Sequence, residues 1–137
     1  MSEPARSALH VLIVEDRPDT AQSWVDLLTL GGHTTRVASC GPDALSSAQT
    51  ETPDVVLLDI GLPGMDGWEV ARRLRADASG RPPFIIAMTG RGTVSDHHRS
   101  EGAGIDLHLV KPVDPFVLIQ LLNQFRSVRN RSVAPSE

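Results

Sequence analysis

Cysteine is nearly absent from this chain: Cys40 stands alone among 137 residues, so no internal disulfide can form, which suits a reducing cytosol. Lysine is as scarce. Of thirteen basic residues only Lys111 is a lysine and the rest are Arg, so the placement of that one ammonium is informative. No long basic run exists and the net charge is −4, which argues against bulk attraction to nucleic acid or an anionic membrane. The N-terminus, MSEPARSALH, lacks the apolar stretch of a signal peptide. No window approaches the ~18 apolar residues of a membrane span. Internal repeats and domain linkers are also missing. A single cytoplasmic domain is expected, spanning 9–126 between polar, disordered tails at 1–8 and 127–137.

What is present is alternation. Strand-like apolar runs occur at Val11–Val14, Thr34–Ala38, Val55–Leu58, Phe84–Met88 and Leu107–Val110. Between the first two, Ala21, Trp24, Val25 and Leu28 recur at helical spacing, and Gly31-Gly32 ends that helix. Ala44, Leu45 and Ala48 mark a second helix after Gly41-Pro42, and Val70, Ala71 and Leu74 a third. A fourth, mostly polar, is expected around Thr93 to Glu101. Leu118, Leu121, Leu122 and Phe125 mark a fifth that starts near Pro115. Continuous apolar strands alternating with helices imply a doubly wound α/β domain, its parallel sheet covered on both faces.

The chemistry gathers where the strands end. The first strand runs into Glu15-Asp16, the third into Asp59, the fourth into Thr89 and the fifth into Lys111-Pro112. A parallel sheet brings all these ends to one edge, where open α/β sheets bind ligands. Three carboxylates there repel one another. At ~5 Å and an effective dielectric near 20 each pair costs roughly 3 kcal/mol. A hard divalent cation with oxygen ligands offsets that, and Mg²⁺ typically uses one or two carboxylates and keeps sites for water and phosphate oxygens. An acid cluster loaded with a cation, beside a lysine and a threonine, suits phosphoryl transfer to an aspartate.

Taken singly, these residues have plainer readings. Asp59 before a Gly/Pro turn could be a capping acid, Glu15-Asp16 beside Arg17-Pro18 could cap the first helix, and Thr89 is a common strand-end residue. Other chemistries fit less well. Gly61, Gly64 and Gly67 lack the G-x-G-x-x-G spacing and Pro63 interrupts them, so no dinucleotide loop is expected. A phosphatase of the haloacid type would need a second Asp where Gly61 stands.

The set resembles the receiver domain of two-component response regulators. The likeness runs from about Leu9 to Phe125 and rests on Glu15-Asp16, Asp59 with the turn Leu62-Pro63-Gly64-Met65-Asp66-Gly67, Thr89-Gly90 and Lys111-Pro112. It implies a five-stranded sheet in the order 2-1-3-4-5, the flavodoxin-like arrangement. Asp59 would be the phosphoacceptor, supplied by a sensor histidine kinase or phosphotransfer protein. Glu15, Asp16, Asp59 and the backbone carbonyl of Gly61 would hold Mg²⁺, with Mn²⁺ as a substitute. Thr89 and Lys111 would grip the phosphoryl oxygens, and the Lys111–Pro112 bond would be cis. Gly61, Gly90 and Arg91 would flank the phosphoryl site, Gly61 leaving water a path and Arg91 either covering it or pairing with the phosphate.

His108 stands where many receivers carry an aromatic switch residue, and the expectation is that it takes that role. The other histidines, His10, His33, His97 and His98, are expected to face solvent. Such a domain assists its own phosphorylation and dephosphorylation but is not an enzyme. Its output would be a downstream protein or a second copy, docked on the face of the fourth helix, fifth strand and fifth helix. A DNA-binding output domain after Phe125 is not expected. Rival readings are an unphosphorylated pseudo-receiver, a phosphate sink or detached receiver of a hybrid kinase, and a flavin or nucleotide domain of the same fold.

Overall fold

A computed structural model of the chain describes residues 8–61, 66–78, 80–90 and 102–133, with side chains through 128. The elements are β1 (His10–Val14), α1 (Pro18–Leu30), β2 (Thr34–Ala38), α2 (Gly41–Thr50), β3 (Val55–Asp59), α3 (Gly67–Ala76), β4 (Phe84–Thr89), β5 (Leu107–Val110) and α4 (Pro115–Val133). The strands form one sheet in the order β2-β1-β3-β4-β5, and every pairing is parallel. This is the expected doubly wound arrangement. Among the described residues, no helix is long and apolar enough to cross a membrane.

The continuous apolar strands are explained by burial on both faces. Leu12, Val14, Val56, Leu58 and Ile85 pack with Ala44 of α2 and Val70, Ala71 and Leu74 of α3. Val11, Ile13, Leu57, Ile86 and Met88 face the other way, against Leu28 of α1 and Leu118 and Leu122 of α4. Fully burying each Leu, Ile or Val stabilises the fold by about 1.5–3 kcal/mol before entropy is counted.

Local signals set the boundaries. Pro18 opens α1, where its missing N–H costs nothing, and the helix stops at Gly31-Gly32, with Gly32 at φ 87°. Asp66 caps α3 by accepting the Trp68 N–H at 2.8 Å. Gly67 is required by space: a Cβ there would lie 2.7 Å from the Ile60 carbonyl oxygen and 2.8 Å from its Cα. The start of α3 is thereby held against the residue that follows Asp59.

The structure corrects two expectations. The last helix does not give way to a tail at 127 but runs to Val133. The residues from Ser127 to Val133 include neither glycine nor proline, and their two Arg are good helix formers. His33 is not solvent-facing but buried at 5% exposure, because its Nδ1 accepts the Leu9 N–H at 3.2 Å beneath the α1–β2 turn. The fourth helix expected at Thr93–Glu101 lies outside the described residues, as do Arg91, His97, His98 and the segment 62–65.

Candidate functional site

Register carries the strand ends to one edge. Asp59 pairs with Met88 and Thr89 with Val110, while the Glu15 N–H extends the β1 ladder to the Ala38 carbonyl at 2.9 Å. The Lys111 N–H donates to the Thr89 carbonyl at 2.7 Å, which ties the loop after β5 to the tip of β4. The Lys111–Pro112 peptide is cis.

Glu15, Asp16 and Asp59 each offer a carboxylate oxygen within 4.8 Å of the others. Glu15 and Asp59 are buried and Asp16 is exposed, so the cluster opens to solvent on one side. Asp59 Oδ1 accepts the Gly61 N–H at 2.9 Å, and Oδ2 lies 3.0 Å from Lys111 Nζ. Glu15 Oε2 accepts the Arg17 N–H at 3.2 Å, while Oε1 is buried with no hydrogen-bond partner among the described residues. Burial pushes the Glu15 carboxyl above its usual range, and the charges of Asp59 and Asp16 push the same way. The Arg17 N–H and the Lys111 ammonium only partly oppose that shift.

This donor set fits a hard divalent cation. All the side-chain donors are carboxylate oxygens, and a buried one in the cluster lacks a hydrogen-bond partner, a costly state that a cation would relieve. Gly61 keeps the approach to Asp59 open, since a Cβ there would start 3.7 Å from Asp59 Oδ1. A Cβ at Gly90 would meet none of the described residues within 4 Å.

Thr89 is half-buried at the tip of β4 beside the acids. His108 is placed differently. It lies beside Ala87 within β5, half-buried. Leu107 and Leu109 join the core under α1 and α4, so alternation directs His108 to the other face of the sheet. His10 is also partly covered, with its Nδ1 2.8 Å from Thr34 Oγ1.

Sequence reasoning missed a cleft of about 420 Å³ that opens beside Glu15 and Lys111. Arg17, Trp24, Met88 and Val113 help to line it. The helical spacing of Trp24 had marked it only as a core position. Nothing in the sequence showed that α1 would leave that ring beside the loop after β5.

Comparison with known proteins agrees with this geometry. The family model of the response regulator receiver domain matches residues 11–123. The transcriptional regulatory protein TcrA of Mycobacterium tuberculosis is 34% identical over 129 residues, covering 94% of this chain and 49% of TcrA. The chain thus spans about half the length of that relative. Protein PilH of Pseudomonas aeruginosa is 34% identical over 114 residues, covering 83% of this chain and 94% of PilH. The receiver domain of a Pseudomonas aeruginosa sensor histidine kinase superposes with a TM-score of 0.78 at 29% identity, over 88% of this chain and 98% of that domain. A magnesium ion is coordinated in the active site cleft of that domain.

Proposed function

This chain belongs to the response regulator receiver domain family, and we propose that Asp59 is its phosphoacceptor, charged by a sensor histidine kinase or a phosphotransfer protein. The observation that carries the proposal is the pairing of a buried carboxylate with the chain's one lysine, inside a cluster of three acids. An Asp–Lys pair alone would be a structural ion pair. Two further carboxylates within 4.8 Å make it a poor structural device and a good cation site.

In the reaction an Asp59 carboxylate oxygen attacks phosphorus. The P–N bond of a phosphohistidine breaks, its electron pair stays on the imidazole nitrogen, and a proton from solvent completes the neutral ring. The product is an acyl phosphate on Asp59. Lys111 holds Asp59 Oδ2 beforehand and afterwards offers its ammonium to a phosphoryl oxygen. The Gly61 N–H fixes Oδ1 and so sets the carboxylate plane. The Thr89 hydroxyl, at the neighbouring strand tip, turns toward the new phosphoryl group. Mg²⁺ held by Glu15, Asp16, Asp59 and the Gly61 carbonyl would neutralise charge on the transferring group. The cleft walled by Trp24, Met88 and Val113 gives the apolar part of a donor somewhere to rest.

The new group adds about −1.5 to −2 charges at the site, and its effect is read elsewhere on the surface. Val110, Phe116 and Val117 are exposed apolar residues at the end of β5 and the start of α4, which supports an output face there for a protein partner or a second copy. The domain acts in the cytoplasm as a switch and turns over no external substrate.

Acetyl phosphate with and without Mg²⁺, followed by intact-mass measurement, tests this reading. One phosphate adduct that needs Mg²⁺ and disappears in Asp59→Asn is the expected result. Absence of an adduct under every condition would instead mark a pseudo-receiver.

A further inference from the structure

The other end of the sheet carries a second built feature, independent of phosphorylation. Between the start of β4 and the later turns of α4 lies a cleft of about 260 Å³. Its floor is apolar: the rings of Phe84 and Phe125 sit 4.8 Å apart, Pro83 is buried beside them, and Val128 forms the rim at 55% exposure. Two arginines, Arg75 and Arg81, stand on its walls.

These arginines differ. Arg75 is pinned: its Nη1 pairs with Asp106 Oδ2 at 3.3 Å, and the same oxygen accepts the Ile85 N–H at 2.8 Å. Its chain crosses Gly104 so closely that a Cβ there would run into Arg75 Cδ. Arg81 is exposed and makes no ion pair among the described residues. With two cations against one carboxylate, the mouth of the cleft keeps an uncompensated positive charge over an apolar floor.

We propose that this cleft docks an acidic peptide segment of a partner protein, with one aromatic or large aliphatic side chain seated on the Phe84–Phe125 floor against Val128 and a neighbouring carboxylate on Arg81. Size agrees, because a cavity of about 150 Å³ already holds benzene. The open mouth favours a passing chain over a free small acid. Arg81, Pro82 and Val128 are all exposed, whereas small-ligand sites bury most of their ligand. The site lies at the start of β4, with Thr89 at the far end of that strand, so occupancy here leaves the acid cluster free.

The test uses the full chain and a short fluorescein-labelled peptide with a single phenylalanine flanked on both sides by glutamates. Saturable binding is expected, weakened roughly tenfold or more by Arg81→Glu and by Val128→Glu. Both side chains are exposed, and both variants should label with acetyl phosphate as the parent does. No saturable binding at millimolar protein, or equal binding by either variant, overturns the proposal. So does equal affinity for a peptide with serine in place of phenylalanine, which would mean charge alone. Phenylacetate competing as well as the whole peptide would assign the cleft to small acids and reject the peptide.

Discussion

Lys111 Nζ lies 3.0 Å from Asp59 Oδ2, across 52 residues of sequence. The chain's single ammonium is therefore already committed to the proposed nucleophile in the resting structure. It neutralises one of three clustered carboxylates and leaves the net negative charge that a cation would answer.

Removing that ammonium should affect chemistry more than stability, since the Lys111 side chain is 41% exposed. A hydrogen bond to a charged group contributes about 1.5–3 kcal/mol. Acetyl phosphate labelling of Lys111→Ala should accordingly slow by about tenfold to a hundredfold, with the thermal midpoint nearly unchanged. Quenched intact-mass time courses would measure this, and unchanged labelling would remove Lys111 from the mechanism.

Glu15 should report the cost of the acid cluster. Its carboxyl is raised above 4.5 by burial, so the folded state binds its proton more tightly than the unfolded chain does. The stability this contributes is full below pH 4.5 and is lost as pH rises through the folded pKa. Without Mg²⁺, Glu15→Gln should therefore raise the thermal midpoint at pH 7 and make little difference at pH 4. Saturating Mg²⁺ should stabilise the parent at pH 7 more than it stabilises the variant. Scanning calorimetry at both pH values reads both effects.

His33 should do the opposite. Burial, with a smaller contribution from Arg126, lowers its pKa from 6.5, and the Leu9 N–H needs Nδ1 as an acceptor. Stability is complete above pH 6.5 and falls as pH drops from there toward the folded pKa, because the unfolded chain takes up the proton first. Between pH 7.5 and 5.5 the urea midpoint of the parent should fall relative to that of His33→Gln. Glu15 contributes with the other sign in both proteins, so the difference isolates His33. Parallel midpoints would refute the assignment.

The two glycines beside the site should respond unequally. Gly67→Ala drives a methyl into the Ile60 backbone, so about 1–3 kcal/mol of stability and most of the phosphate labelling should be lost. Gly90→Ala meets open space among the described residues and should be close to neutral in both assays. Urea unfolding and intact-mass labelling of the pair would check this.

The sequence carried most of the fold because the central strands β1, β3 and β4 are buried on both faces and read as apolar runs, Val55 to Leu58 most clearly. It also carried the acids and Lys111, because parallel strands send their last residues to one edge. Three features were hidden. The end of α4 was illegible because no glycine or proline stops it near Phe125. The burial of His33 depends on the Leu9 N–H, 24 residues away, which no local pattern encodes. The Trp24 cleft depends on how α1 packs beside the loop after β5.

The order of the chain gives the site a timetable during synthesis. Glu15, Asp16 and Asp59 leave the ribosome well before Lys111, and β5, which precedes that lysine, is an edge strand and the last strand in sequence. Under the role proposed for Asp59, the lysine that speeds phosphate transfer is therefore the last part of the site to be made.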